Sequence, residues 1–459
     1  MNDRQALNSS SFCVLRSSFV LLCLLLWPFP FHAVAQVSRA DGSSAQPCPQ
    51  NFDVEAAERE FASAAAKHQG QFRRLLNQRG HRGTVADEAD VYLNNLRAAL
   101  SRSFQKETAV LFYDEEDAAF RAWLIDRKGV RAFHRAAMSR EQLEAAIAAL
   151  RESLDVENLE AARLPPRLRP KKTTTPPPPV NPRALLPRRL SALTSLLLPD
   201  SIACALKGVR HLIIVPVLNL GTVPFAALRP FGSSTNLIDR MSVTIAPSLF
   251  DINKSVEAWA ADFRRPLLVG NPYLAPSAGW EPLLNAEREA LFIARMFKAT
   301  SLTGREANRE RILSRALEAD LLYFATHGAA DTAQPLEGGF LVFSGPQGTE
   351  SLWTAREIQE TPLQARLAVL SACQTGLGKT HDAGIIGLAR AFQLAGVPRV
   401  VMSLWSVYDD ATSELMQAFA RHLSTHAPAE ALRQAMLEVR KRRPDPTEWA
   451  SFVIFGTPQ

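Results

Sequence analysis

Two residues that could act as a nucleophile and a base, Cys373 and His327, each follow a short apolar stretch of the chain. These stretches, 321–326 and 368–372, are rich in residues that favour strands, and both give way to polar or glycine-containing sequence. Such runs are typical of strands buried on both faces of a parallel sheet, where ligand sites lie at the carboxyl ends of the strands. Because a neighbouring imidazole can activate a thiol near neutral pH, we predict that Cys373 and His327 form a dyad.

The elements that would hold these side chains alternate between strand and helix after residue 210. Apolar runs rich in strand formers are separated by stretches with helical spacing and by turns that contain glycine or proline. The sequence predicts strands at 211–215, 242–246, 266–269, 299–302 and 400–404, and helices at 287–297, 309–317, 385–394 and 412–422. This alternation indicates an α/β fold, a mainly parallel sheet with helices on both faces.

An antiparallel hairpin precedes that alternation. Residues 109–113 and 119–125 have the composition of two strands joined by an acidic turn, and a third strand is predicted at 130–133. Ser139 and Gln142 have the spacing of a capping box, which predicts the start of a helix immediately after the hairpin.

A helical segment is predicted upstream of the hairpin. Apolar side chains recur at helical spacing between 52 and 102, whereas 36–50 is rich in serine, alanine and proline. We therefore divide the chain into a disordered start and short helical segment over 36–105 and one large domain over 106–459.

The first 35 residues have the pattern of a secretory signal peptide. Positive charge precedes an apolar run at 19–27, Pro28 and Pro30 interrupt it, and small residues match a cleavage site after Ala35. The run is too short for the roughly 20 residues of a membrane-spanning helix. The sequence therefore predicts a periplasmic or secreted protein that has no membrane span once 1–35 is removed.

A proline-rich basic stretch at 164–189 is predicted to be a linker inserted in the large domain. Eight Lys and Arg residues and no Asp or Glu lie between 163 and 189, more than the formal net charge of +6 of the whole chain. Such a patch could meet nucleic acid, an anionic membrane or an acidic partner. The proline run favours a solvated, extended tether, and we predict no nucleic-acid partner.

The cysteine count bears on the state of the thiol. Cleavage after Ala35 would leave three cysteines, Cys48, Cys204 and Cys373. An odd number in an exported protein implies at least one unpaired thiol unless chains are cross-linked. If Cys48 and Cys204 pair, the free thiol is Cys373, although a buried inert cysteine would fit the count equally well.

From about residue 211 onward the chain resembles the CHAT family, relatives of caspases, gingipains and separase among the caspase-like cysteine peptidases. The resemblance depends on a set of short motifs, of which any one alone would be weak. The motifs are Ile213-Ile214-Val215-Pro216, 223–228, Leu322-Tyr323-Phe324-Ala325-Thr326-His327-Gly328, Leu370-Ser371-Ala372-Cys373-Gln374-Thr375-Gly376, 387–392, Ser403-Leu404-Trp405-Ser406-Val407 and 449–452.

The resemblance implies a caspase-like fold and a role for each site residue. Cys373 would attack the scissile carbonyl, His327 would activate the thiol or protonate the leaving amine, and the N–H groups of Gly328 and Cys373 would stabilise the oxyanion. It implies a cysteine endopeptidase that cleaves protein substrates without cofactor or metal. The alternative is a latent or inactive protein that uses the same fold as an interaction scaffold. An activating protein partner is compatible with either interpretation.

Asp409 is the candidate for substrate recognition. An acidic residue near this point resembles the pocket partner that selects a basic residue before the cleaved bond in separase-like enzymes. Asp409 or Asp410 could instead cap the helix that follows. The chain also departs from the family pattern at Ala383, where an acidic residue is frequent, and it shows no clear tetratricopeptide repeat near its start.

A phosphate-binding loop is the main rival interpretation of the sequence around Cys373. Gly378-Lys379-Thr380 follows a predicted strand, but the pattern would need glycine where Cys373 stands. A helix should also begin at the lysine, and His381 and its neighbours delay it. We therefore predict no nucleotide site.

Overall fold

The computed structural model describes ten ranges: 52–77, 89–103, 107–116, 118–154, 181–253, 259–329, 339–372, 378–381, 384–405 and 409–456. The predicted signal peptide, the stretch 36–50 and Cys373 lie outside these residues. The predicted linker also lies outside them as far as residue 180, and its last residues are helical.

Sixteen strands are present in the described ranges: β1 (Thr108–Glu116), β2 (Ala119–Asp126), β3 (Gly129–Ala137), β4 (His211–Val215), β5 (Ser242–Ile245), β6 (Pro266–Pro272), β7 (Ser301–Gly304), β8 (Leu321–Ala325), β9 (Gly328–Ala329), β10 (Phe340–Ser344), β11 (Glu350–Thr354), β12 (Leu367–Leu370), β13 (Gly378–His381), β14 (Gly384–Gly387), β15 (Arg399–Ser403) and β16 (Phe452–Gly456). Ten of the strands, β1 to β8, β12 and β15, coincide or overlap with strands predicted from the sequence, because those runs combine β-favouring side chains with a turn at the end.

Thirteen α-helices connect and cover these strands in the same ranges. They are α1 (Val54–Asn77), α2 (Ala89–Ser103), α3 (Arg140–Ser153), α4 (Leu186–Leu197), α5 (Asp200–Ala205), α6 (Leu249–Asn253), α7 (Leu284–Met296), α8 (Arg309–Ala316), α9 (Ala355–Glu360), α10 (Leu388–Leu394), α11 (Asp409–Leu423), α12 (Pro428–Arg440) and α13 (Pro446–Trp449).

Eleven of the strands form one sheet in the order β3-β2-β1-β4-β5-β16-β15-β12-β8-β6-β7. Seven of its ten neighbouring pairs are parallel, which confirms the predicted mainly parallel α/β sheet. β16 runs parallel to β5 but antiparallel to β15. Apart from β2 and β3, which continue antiparallel from β1 to one edge, the sheet consists of two parallel halves, β1-β4-β5-β16 and β15-β12-β8-β6-β7. The two halves point in opposite directions, a feature that the sequence did not predict.

Helices cover both faces of the sheet, as β1 shows most clearly. Phe112 packs on one face against Phe61 of α1, with ring centroids 5.4 Å apart. Tyr113 points to the other face, where its hydroxyl donates to the Leu197 carbonyl at the end of α4 over 2.7 Å. Strand residues alternate between faces, so one strand supplies both layers of the core. A buried side chain of this size contributes about 1.5–3 kcal/mol.

Local signals in the sequence fix several helix boundaries. Ser139 caps α3, and its side chain and that of Gln142 form the reciprocal bonds of the predicted capping box.

The helical segment before the hairpin is also present, as α1 and α2. In the described ranges, no helix combines the length and apolar character that crossing a bilayer would require.

The prediction of a helix at 385–394 is partly wrong. Residues 384–387 form β14, which pairs with β13 in a separate two-stranded hairpin, and the helix begins only at Leu388. Two consecutive β-branched residues, Ile385 and Ile386, favour the strand. Lys379 and Thr380 lie in β13. No helix begins at the lysine, whereas a phosphate-binding loop places the start of a helix there.

Candidate active site

The strands that precede the two predicted site residues in sequence are neighbours in the sheet. β8 and β12 are parallel neighbours, and their register pairs Phe324 with Leu370. His327 follows three residues after Phe324, and Cys373 follows three residues after Leu370. Cys373 itself lies outside the described residues, but its covalent neighbour Ala372 is described.

Ala372 lies directly beside Gly328, the residue after His327. A Cβ atom placed on Gly328 would be 3.3 Å from the Ala372 Cβ, 3.1 Å from the Leu341 Cδ2 and 3.2 Å from the Phe340 carbonyl oxygen. Most side chains have no space here, so glycine allows the segment after β8 to approach the segment after β12. Ser403 holds the segment after β12 in place, because its hydroxyl donates to the Ala372 carbonyl over 2.6 Å.

The backbone N–H of Gly328 points away from the strand with which it pairs. Gly328 is opposite Leu341, and the adjacent Val342 N–H donates to the His327 carbonyl over 2.9 Å. This pattern makes Gly328 and Leu341 a non-hydrogen-bonded pair, in which the N–H groups face outward. The Gly328 N–H is therefore directed to the side of β9 away from β10, as an oxyanion donor requires.

His327 is held through one of its ring nitrogens. Its side chain is buried, with 5% of the residue exposed, and its Nε2 lies 2.7 Å from the backbone carbonyl oxygen of Glu281. A carbonyl oxygen only accepts hydrogen bonds, so Nε2 carries the proton in this contact. Nδ1 is then the nitrogen that gains and loses a proton, which fits it to act as the base.

The loop between β6 and α7 covers the imidazole. Trp280, also buried, packs on His327 with ring centroids 4.7 Å apart and an angle of 37° between the planes. The indole Nε1 donates to Glu350 Oε2 on β11 over 2.6 Å. Sequence reasoning missed Trp280, Glu281 and Glu350. The available signal was a tryptophan in a loop, and no spacing rule connects it to a histidine 47 positions later.

A buried polar layer lies beneath this edge of the sheet. The Tyr323 hydroxyl of β8 donates to Oε1 of Glu289, a buried residue of α7, over 2.6 Å. Burial, reinforced by the Glu289 charge, raises the pKa of Tyr323 well above its usual value. Tyr323 also hydrogen-bonds Ser371, two residues before Cys373. The phenol therefore connects α7 to the strand that leads to the thiol.

The structure distinguishes the two candidate carboxylates after β15. Asp409 is the first residue of α11, and its side chain is not described. Asp410 Oδ2 accepts a hydrogen bond from Arg443 Nη2 over 2.8 Å, and this bond lowers the pKa of Asp410. Asp410 is thus already paired within the fold, whereas the role of Asp409 in substrate recognition stays a prediction.

Cys204, in α5, is disulfide-bonded. The other four cysteines, Cys13, Cys23, Cys48 and Cys373, lie outside the described residues. In the part of the chain that is described, no group of three or more His, Cys, Asp or Glu side chains could hold a metal ion.

Comparison with known proteins places these residues in a family. Residues 187–457 match the CHAT domain, which is more than half of the chain. Tetratricopeptide repeat protein 28 of Homo sapiens is 27% identical, and its Mus musculus counterpart 26%, each over 54% of this chain and 12% of the relative. The chain therefore spans only about an eighth of the length of these curated relatives.

Two kinds of solved structure are similar to the chain at low identity. One is the Saccharomyces cerevisiae separase–securin complex, at 13% identity and a TM-score of 0.48, covering 81% of this chain and 31% of that one. Another is the Arg-specific cysteine proteinase gingipain R, at 11% identity and a TM-score of 0.37, covering 59% and 67%. The domain match agrees with the motifs around His327 and Cys373, and the chain belongs to the CHAT domain family.

Proposed function

We propose that this protein is an exported cysteine endopeptidase in which Cys373 and His327 cleave protein substrates. The observation that carries the proposal is the register of β8 and β12, which pairs Phe324 with Leu370, each three residues before a member of the dyad. Membership of the CHAT domain family supports the same reaction class.

The acylation step uses three groups at this edge of the sheet. The Cys373 thiolate attacks the scissile carbonyl carbon, and the carbonyl π electrons move onto oxygen. The Gly328 N–H, directed away from β10, and the Cys373 N–H stabilise that oxyanion. Collapse breaks the C–N bond, and His327 Nδ1–H protonates the leaving amine, which leaves a thioester on Cys373.

Hydrolysis of the thioester regenerates the enzyme. His327 Nδ1 accepts a proton from water, and the hydroxide oxygen attacks the thioester carbonyl to form a second oxyanion in the same position. The C–S bond then breaks, which releases the carboxylic acid and returns the thiolate. The Nε2–H bond to the Glu281 carbonyl holds the ring in one orientation through both steps.

Asp409 is proposed to select a basic residue before the cleaved bond. The chain from β15 to α11 begins next to Ala372, since Ser403 bonds the Ala372 carbonyl, and it reaches Asp409 six residues later. Asp410 is committed to Arg443, so Asp409 is the better candidate of the two.

Export and the state of the thiol are proposed together. The Cys204 disulfide is compatible with an oxidising compartment, in which such bonds form and persist. We propose Cys48 as its partner, which leaves Cys373 reduced for catalysis. Cleavage after Ala35 would retain both residues of that pair. Activation by a protein partner belongs to the same proposal.

An active-site probe tests the reaction. The full chain would be incubated with a peptidyl acyloxymethylketone that carries Arg before the warhead, beside Cys373→Ala, His327→Ala, Asp409→Asn and Asp410→Asn. We expect labelling of Cys373 that requires His327. Asp409→Asn should lose labelling by the Arg probe, whereas Asp410→Asn should retain it because Arg443 already neutralises that carboxylate.

Separate outcomes address each part of the proposal. Labelling that does not depend on His327 would contradict the dyad. Equal losses in the two Asp variants would contradict a specific role for Asp409. No labelling, while iodoacetamide still reaches Cys373, would favour the interaction scaffold, unless labelling appears after cell extract is added. Peptide mapping without reductant would show whether Cys204 is joined to Cys48.

A further inference from the structure

His327 is contacted by two consecutive residues of one loop. The Trp280 ring covers its face at 4.7 Å between centroids, and the Glu281 backbone carbonyl accepts its Nε2–H over 2.7 Å. Because these residues are adjacent in sequence, whatever fixes the indole also fixes the carbonyl. Glu350, on another element, fixes the indole by accepting its Nε1–H over 2.6 Å.

The contacts favour the protonated ring. Imidazolium is a cation, and the face of an indole attracts a cation, more strongly when water is excluded. Trp280 and His327 are both buried, at 6% and 5% exposed, so little water screens this interaction. A second donor–acceptor contact, Nε2–H to the Glu281 carbonyl, also strengthens when the ring is charged.

We propose that Trp280 and Glu350 are positioning residues for His327, which orient its ring and stabilise its protonated form for leaving-group protonation. The inference rests on the proposed function, because the protonated imidazole has a catalytic role only if His327 and Cys373 form the proposed dyad. Trp280 acts through its ring face and through the adjacent carbonyl, and Glu350 acts through Trp280.

Several carboxylates lie on the elements that neighbour His327. The Glu281 side chain is exposed, although its carbonyl binds the ring. Glu289 is buried behind Tyr323, a residue of β8 that precedes His327 by four positions. Glu350 lies beyond the indole, and Cys373 and the Asp409 side chain lie outside what the structure describes. Substitution of Trp280 leaves all of these carboxylates in place.

The test measures protonation of His327 directly and without turnover. The full chain carrying Cys373→Ala would be labelled with 13C at the histidine C2 position, and His327 would be assigned from the signal missing in His327→Ala. Titration by NMR would follow Trp280→Leu and Trp280→Met, which keep an apolar cover but remove the ring, and Trp280→Phe, which keeps a ring. Glu350→Gln keeps an acceptor for the indole, and Glu350→Leu removes it.

We expect Trp280→Leu and Trp280→Met to lower the titration midpoint of His327 by about half a unit to one unit, the size of a cation–π contact. Trp280→Phe should restore most of that difference. Glu350→Gln should have the same His327 midpoint as the parent. The midpoint of Glu350→Leu should shift towards that of Trp280→Leu. Trp259→Leu is the matched control, since Trp259 packs on Phe263 with ring centroids 5.6 Å apart, in the segment just before β6.

The outcomes separate this inference from the proposed function. An unchanged His327 midpoint in Trp280→Leu and Trp280→Met would overturn the inference. A raised midpoint would overturn it too, because it would mean that Trp280 only excludes water. If Glu350→Leu and Glu350→Gln give the same His327 midpoint, Glu350 does not position Trp280 for this interaction. The proposed function is tested apart, by alkylation of Cys373 with iodoacetamide in the wild-type chain. Alkylation that is independent of His327 would end that proposal whatever the NMR result.

Discussion

Two buried histidines occupy different regions of this protein, and they differ in what surrounds their nitrogens. His68 lies on α1, 2% exposed, with its ring 5.5 Å from that of Phe112 and no hydrogen-bond partner for either nitrogen. His327 is 5% exposed and packs on Trp280, but its Nε2 is bonded to the Glu281 carbonyl. Burial and aromatic packing are common to both, so neither distinguishes a functional histidine.

The polar contacts make the difference. Burial lowers the pKa of His68 to about 4, although the charge of Asp251 opposes the shift. His68 therefore stays neutral at physiological pH and serves as part of the core between α1 and β1. His327 lies where a strand ends, so backbone groups that no neighbouring strand uses are available to orient it. The carbonyl acceptor, rather than burial, is therefore what distinguishes His327 from His68.

The largest expected difference between the two regions is in thiol reactivity. His327→Ala should slow probe labelling of Cys373 by about 10²–10⁴-fold, the usual contribution of a positioned acid–base group. His68→Phe should leave the labelling rate unchanged, because its ring contacts only the core. Labelling rates of both variants, with far-UV circular dichroism to confirm folding, would check this. An equal loss in His68→Phe would show that the comparison is wrong.

The next effect concerns the charge that faces His68. Asp251 forms a buried ion pair with Arg390, whose Nη1 lies 3.2 Å from both carboxylate oxygens, and it also accepts from Ser248. Arg390→Met should cost about 3–5 kcal/mol of the free energy of unfolding, because it leaves a buried carboxylate without this partner. The pKa of His68 should rise, since the Asp251 charge is then less neutralised.

Urea denaturation and a His68 titration would measure both changes. Arg421→Met is the control, because its ion pair with Glu438 is partly exposed and should cost less than about 1 kcal/mol. A similar cost for the two variants would mean that burial adds nothing to the Asp251–Arg390 pair.

The smallest effect is a pH dependence of stability. Unfolded His68 titrates near 6.5 and folded His68 near 4, so below pH 6.5 the unfolded chain binds a proton that the folded chain does not. The stabilisation present above pH 6.5 is therefore lost as pH falls towards 4, by up to about 1.4 kcal/mol per pH unit. His68→Phe should reduce the slope by this amount, and His211, whose pKa burial also lowers to about 4, would retain a similar contribution.

Urea midpoints at several pH values between 7.5 and 4.5 would give both slopes. Identical slopes for wild type and His68→Phe would mean that His68 is protonated in the folded protein. That result would remove the contrast between the two histidines.

The sequence predicts those parts of the fold and site that depend on local patterns. Apolar runs located β8 and β12 and placed His327 and Gly328 at a strand end, and a capping box located the start of α3. The Glu281 carbonyl was not predictable, because every residue has a carbonyl and only the tertiary fold directs this one at His327. The Trp280–Glu350 bond joins residues 70 positions apart, and no local pattern encodes such a distance.

The reversal of strand direction was missed for a related reason. An apolar strand such as β16 carries no mark of its neighbours, and β5 and β15 are both far from it in sequence. Periodicity gave the class of sheet but not the order of its strands.

The position of β16 has a consequence for the order in which the protein can assemble on the ribosome. This strand is the last of those described along the chain, yet it joins the two halves of the sheet at its centre. Until residues 452–456 have been synthesised, β5 and β15 have no strand between them. We therefore expect the nascent chain to complete its sheet only at a late stage, with Cys373 already translated while the two halves of the sheet are still unjoined. If the proposed peptidase activity needs the complete sheet, the protein would stay inactive during its own synthesis.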